Sequence, residues 1–289
     1  MVDEFAVVEG TQVADIGHSS WTLRRADIAF VIDCTDSMEV VHQAVIEAIE
    51  DVVEEYRKAS VTVRLGLTEF RDKTWVKDKE KGLELMKVHR FGDSSFTQNI
   101  DDFKIALSGL KSEGGGSPKE SCFDAIATTV LEADWDENSD SIIVFFSEAK
   151  PIRRDELVKE IHDLCTIVED GGINQLHLCI DKKDPEVLEE YDHIFFCASD
   201  PKDESLYIFG DTYPIYSKGP DPRRSKNDDH RSPNLSDLKK ILKMVARSSG
   251  KQVRSSSGNI YGVSPSRRTK TKKSSSMREK SSTSSNKYS

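Results

Sequence analysis

Two runs in this chain are apolar at nearly every position, "DIAFVID" at residues 27 to 33 and "SIIVFFSE" at residues 141 to 148. Neither alternates apolar with polar residues and each is too short for a helix, so each reads as a strand buried on both faces. A strand covered on both sides needs helices above and below its sheet, and helical patterns do follow. After the first run, Met38, Val41, Val45, Ile49, Val52 and Tyr56 recur at three- and four-residue steps. Glu47, Glu50, Asp51, Glu54 and Glu55 populate the other side, as on the solvated face of an amphipathic helix.

The alternation continues along the chain. "VTVRLGLTEF" (61 to 70) and "LELMKVHRF" (83 to 91) read as strands, residues 99 to 110 and 118 to 133 as helices, and then comes the second apolar strand. A helix over 153 to 169, a strand at "INQLHLCI", a short helix over 185 to 191 and an apolar run at "HIFFCAS" follow. "SLYIFGDTYPIY" reads as an edge hairpin within an exposed stretch from 203 to 235, and "NLSDLKKILKMVARSSG" as a last helix capped by Asn234 or Ser236. This order predicts an α/β fold: a doubly wound, mostly parallel, Rossmann-like sheet with one antiparallel edge strand and helices on both faces. In such sheets ligands bind beyond the carboxyl ends of the strands, and Asp33 and Glu148 both fall at such ends.

Charge divides the chain. Of its 289 residues, 41 are Lys or Arg and 51 Asp or Glu, a net charge of −10. Residues 251 to 289 hold ten Lys or Arg and a single Glu, so the remaining 31 cations and 50 acids put −19 on the first 250 residues. An acidic body disfavours general nucleic-acid binding, which leaves only weak contact through the basic end. That end, 255 to 289, is rich in Ser, Lys and Arg and has almost nothing to bury, so it reads as a disordered tail. Residues 1 to 25 read as an extension, and 26 to 254 as the folded domain. The acidic start lacks a basic segment followed by an apolar run, and no stretch is long enough to span a membrane, which predicts a cytoplasmic protein. Five cysteines without paired spacing predict reduced thiols rather than a disulfide framework.

At the end of the first strand, "VIDCTDSM" sets Asp33, Thr35 and Ser37 at alternate positions. In an extended loop these side chains converge while Cys34 and Asp36 turn aside. One carboxylate and two hydroxyls form a hard, oxygen-only set, suited to magnesium or manganese. Part of the same stretch also fits a helix start, with Asp36 and Glu39 as a capping box. Ser117, Pro118 and Glu120 match that signature too, so Ser117 reads either as a cap or as a fourth oxygen ligand. Thr97, in "SFTQN", reads as a helix cap, and His177 with Cys179 as core residues sharing a strand face.

"VIDCTDSM" resembles the Asp-x-Ser/Thr-x-Ser signature of the von Willebrand factor A domain, whose metal-ion-dependent adhesion site is built from three loops at the top of such a sheet. "VRLGLTEFRDK", "FTQNIDDFKIALSGLKSEGGGSPKESCFDAI" and "SIIVFFSEAKP" are similar to successive segments of its branch found in hemicentins and alpha-kinase-linked proteins. The resemblance covers roughly residues 26 to 180. It implies a metal held by Asp33, Thr35 and Ser37, with Ser117 where the family has Thr or Asp and Glu148 where it has Asp. Those two departures imply weak binding of Mg2+ or Mn2+. It further implies a protein partner whose Asp or Glu completes the metal shell, with no bond made or broken.

Two other readings compete. A scaffold whose metal site has decayed would bind its partner without metal. A magnesium-dependent phosphatase of the haloacid-dehalogenase type would place a second Asp two residues after the first, where this chain has Thr35.

Overall fold

The computed structural model describes residues 24–71, 73, 84–113, 119–180, 185, 187–191, 209–214 and 235–256. The chain divides into two units, Met1–Asn259 and Ile260–Ser289, and every described residue belongs to the first. Residues 1–23, the run "HIFFCAS", Ser117, Asn234, most of 203–235 and the tail from 257 lie outside the described residues.

The sheet is built around β1 (Arg24–Asp33), which pairs in parallel with β2 (Val61–Phe70) on one side and β6 (Asp140–Ser147) on the other. Beyond β2 lie two short antiparallel pieces, β3 (Met86–Val88) and β4 (Phe96–Thr97). Beyond β6 lie β8 (Gln175–Ile180) and β9 (Phe209–Pro214), both parallel. A separate parallel pair joins β5 (Lys119–Glu120) to β7 (Lys150–Pro151). The architecture is thus the expected mostly parallel α/β sheet, with two differences. The antiparallel edge is split between β3 and β4, because the chain turns at Phe91 and Ser94 instead of continuing one strand over 83 to 91. In place of an edge hairpin, the described part of "SLYIFGDTYPIY" is the parallel edge strand β9.

Helices cover both faces, and β1 shows why. Ile28, Phe30 and Ile32 point into one core with Val41, Val45 and Ile49 of α1 (Glu39–Lys58) and Leu238 and Leu242 of α5 (Leu235–Ser256). Ala29 and Val31 point into the other, with Ile126 and Val130 of α3 (Cys122–Glu132) and Leu164 and Val168 of α4 (Ile161–Asp170). A two-residue period across a doubly buried strand leaves no solvent face, hence the unbroken apolar sequence. Helix α2 (Ile100–Ser108) adds Phe103 and Leu107 to the first core.

Helix α4 starts later than its pattern suggests, at Ile161 rather than 153, because Asp124 of α3 holds the preceding turn. Its carboxylate accepts the backbone N–H of Glu156, Leu157 and Val158 at 2.9, 2.8 and 2.8 Å. Helices α1 and α5 run in parallel, joined by Glu47–Lys239, Asp51–Lys243 (2.8 Å) and Glu55–Arg247 (2.9 Å) at successive four-residue steps. Part of the acidic face of α1 is therefore a helix seam as well as a solvated surface. Among the described residues no helix is long and apolar enough to cross a membrane.

Candidate functional site

From β1 the chain steps to β2 on one side, and later to β6 on the other. The carboxyl ends of β1 and β6 therefore flank the point where the winding reverses, the place where such sheets open a crevice. Asp33 ends β1, and Ser147 ends β6.

The loop after β1 is fastened before it turns. Cys34 N–H donates to Phe70 O at 2.9 Å, and the Cys34 side chain is buried. Asp33 Oδ1 then accepts from both the backbone N–H and the hydroxyl of Thr35, at 2.9 and 2.8 Å. Such a local turn is a favoured use of Asp at a strand end. A single 3-10 turn, Asp36–Met38, follows, closed by Met38 N–H to Thr35 O at 3.0 Å. It brings Ser37 Oγ to 3.4 Å from Thr35 Oγ1. Asp33, Thr35 and Ser37 do converge, with Asp33 and Thr35 buried, Ser37 exposed and Asp36 turned to solvent.

The helix-cap alternative at Asp36 and Glu39 does not form. Neither the 3-10 turn nor α1 has a side-chain cap, so the Asp36 and Glu39 box is absent. Glu120 is likewise not the third residue of a helix: it lies in β5, opposite Pro151, and α3 begins at Cys122. Its backbone carbonyl accepts from Ile152 N–H at 2.8 Å, and its side chain is buried beside Asp33, where a hydrogen bond between the two carboxyl groups requires one of them to hold a proton. At α2, Asn99 is the cap, its side chain accepting from Asp101 N–H at 3.0 Å, while Thr97 Oγ1 accepts from Asn99 N–H one step earlier.

Two residues at the site were not anticipated. Ser147 Oγ donates to Asp33 Oδ2 at 2.9 Å and accepts from Ala149 N–H at 3.0 Å. Glu120 is the other, hidden by its match to a capping box. The register of β1 on β6, Ile32 opposite Phe146, is what would have revealed Ser147. Glu148 stands half-buried in the bend just after Ser147.

Burial pushes the Asp33 carboxyl up, while its hydrogen bonds with Glu120, Thr35 and Ser147 favour the ionised form. Beneath lie Cys122, its Sγ 3.7 Å from Ser147 Oγ, and Tyr191, whose hydroxyl donates to Ala149 O at 3.2 Å. Burial raises the Cys34 and Cys122 thiols well above the ordinary range, which opposes thiolate formation at either. His177 and Cys179 are core residues, with His177 Nε2 3.2 Å from Gln175 Oε1.

The donor set at the crevice is entirely hard oxygen, which fits a small divalent cation. The separation of Asp33 Oδ1 and Thr35 Oγ1, 2.8 Å, also suits adjacent ligands of an ion with ~2.0 to 2.1 Å bonds. Among the described residues, no group of three or more His, Cys, Asp or Glu is arranged to hold a metal. Any ion here would depend on hydroxyls.

No protein-family model matches the chain, and no curated protein matches it either. Solved structures with a similar chain path include proximal thread matrix protein 1 from the mussel byssus, at TM-score 0.46 and 12% identity over 78% of this chain and 46% of that one. The same protein with a zinc-occupied MIDAS motif gives TM-score 0.44 and 14% identity over 79% and 46%. The pilus adhesin SpaC from Lactobacillus rhamnosus GG, in its open conformation, gives 0.48 and 13% over 80% and 31%. The chain thus spans less than half the length of each, and at these identities no residue role carries across.

Proposed function

We propose that this chain is a non-enzymatic protein-recognition module of the von Willebrand A type, closest to the hemicentin and alpha-kinase-associated branch. It would engage its partner through a divalent cation at the carboxyl end of β1. The observation that carries this reading is the convergence of Asp33, Thr35 and Ser37 at the reversal point of the sheet, with no helix cap formed by any of them. Asp33, Thr35 and Ser37 would hold magnesium or manganese, with Glu120 as a buried carboxylate beside them and Ser117 and Glu148 as the remaining candidates. The bound cation would supply an electrophilic position for an Asp or Glu carboxylate of the partner. Ser147 orients Asp33 from β6, and exposed Ser37 marks the open side from which a partner would approach.

One observation favours a metal-independent scaffold instead: both Asp33 oxygens already have donors within the protein, Oδ1 from Thr35 and Oδ2 from Ser147. Calorimetric titration of the full chain with magnesium and manganese, natural protein against Asp33→Ala, separates the two. A saturable signal lost in the variant supports the metal-dependent reading. Absence of binding in both proteins supports the scaffold. Magnesium-dependent turnover of a phosphate ester by the natural protein would overturn both.

A further inference from the structure

His42, on the first turn of α1, is buried and joins two separate pieces of chain. Its Nε2 lies 3.0 Å from the carbonyl oxygen of Asp33, and its Nδ1 lies 3.1 Å from Ser112 Oγ. A carbonyl only accepts, so Nε2 carries the ring hydrogen, and in the neutral ring the Ser112 hydroxyl donates to Nδ1.

The residues on either side of Ser112 are tied as well. Arg71, just past the end of β2, is among the most buried side chains of the molecule and pairs with Glu69 at 2.7 Å. Its Nη2 donates to Lys111 O at 3.1 Å. Glu113 N–H donates to Cys34 O, also at 3.1 Å. Three successive residues are thus held by three different groups, all at the carboxyl ends of β1 and β2 or on the first turn of α1. A guanidinium that deeply buried is costly unless engaged; Arg71 gives Nη1 to Glu69 and Nη2 to the Lys111 carbonyl, while its Nε has no hydrogen-bond partner among the described residues.

We infer that His42 and Arg71 are positioning residues: they clamp segment 111 to 113 onto the loop after β1 and so set the backbone from which Asp33 and Thr35 present their oxygens. The inference rests on the cation-holding reading of those oxygens. Because His42 touches Asp33 with one nitrogen and Ser112 with the other, displacement of the segment moves the ring. The Asp33 carbonyl then loses its anchor. Packing alone would predict that these residues affect only stability.

The test uses the full chain carrying Ser112→Ala, which removes one hydroxyl, and His42→Phe, which keeps an aromatic ring but removes both contacts. Magnesium affinity is read by calorimetry, stability by urea midpoint, and local opening by hydrogen exchange at the Glu113 amide. For Ser112→Ala the expected result is magnesium binding weakened about threefold to tenfold, with a midpoint lowered by no more than the loss of one hydrogen bond and with faster Glu113 exchange. His42→Phe should weaken binding further, and His42→Gln, which restores a donor toward Asp33, should recover part of it. Unchanged affinity and unchanged Glu113 exchange in Ser112→Ala would overturn the clamp while leaving the metal reading intact. If the natural protein binds no magnesium, the metal reading fails by itself. Glu113 exchange then decides the clamp: faster exchange in Ser112→Ala sustains it, and unchanged exchange overturns it.

Discussion

The hydroxyl of Ser147 lies 2.9 Å from Asp33 Oδ2, a bond that crosses from β6 to β1 at the point where the sheet reverses its winding. Because Asp33 is fully buried, deleting that hydroxyl leaves a carboxylate oxygen short of a donor where water does not reach easily. Ser147→Ala is expected to destabilise the fold by about 1 to 3 kcal/mol in urea unfolding. On the metal-dependent reading, saturating magnesium would raise the midpoints of both the natural protein and this variant, since a ligand that binds only the folded state stabilises it. No rise in either would count against metal binding.

Glu69 gives a pH dependence with a definite sign. Burial opposes its ionisation, but hydrogen bonding to His89 and the charge of Arg71 hold its carboxyl down at about 2, against an ordinary 4.5. A depressed folded value contributes stability that is fully present above 4.5 and is lost as pH falls from 4.5 towards 2. The contribution is on the order of 1 to 3 kcal/mol once solvent screening is allowed for. Urea midpoints of the natural protein should drop across that window, and Glu69→Gln should be less stable at neutral pH and lose most of that slope.

Asp124 neutralises three consecutive N–H groups of the turn before α4. Asp124→Ala would leave all three without their acceptor and is expected to cost about 3 to 5 kcal/mol, among the largest effects of any single substitution. An unchanged denaturation midpoint would show that the turn finds another arrangement.

Two glycines should respond with opposite signs. At Gly66 an added methyl would sit 2.7 Å from the Phe96 ring, its partner across β2 and β4, so Gly66→Ala should destabilise by about 1 to 3 kcal/mol. At Gly250, inside α5, the same methyl would meet Ala59 and Tyr56 at ordinary contact of 3.5 Å. There Gly250→Ala should stabilise by about 0.5 to 1 kcal/mol through helix propensity. Thermal melts of the two variants would test the contrast.

What the sequence determined by itself is visible in β1. Its unbroken apolar run, followed by an amphipathic helix, was enough for a doubly covered parallel sheet, because local burial pattern and element type are both written in nearby residues. The alternation of Asp33, Thr35 and Ser37 was legible for the same reason, since all three lie within one turn of chain.

Tertiary structure alone decided which groups meet them. Asp27 and Asp33 flank the same apolar run and look alike in sequence. Asp27, at the far end of the strand, is engaged by Arg64 at 2.7 and 2.6 Å and by Asp136 N–H at 2.8 Å, whereas Asp33 meets hydroxyls and Glu120. Those partners are set by strand order and register, such as Asp27 opposite Arg64 and Ile32 opposite Phe146. Glu120 shows the limit most plainly. Its local sequence satisfied a capping box, yet pairing with Pro151 draws residues 119 and 120 into extended backbone and delivers the side chain to Asp33. A capping preference is worth about 1 kcal/mol, and long-range pairing and burial outweigh it.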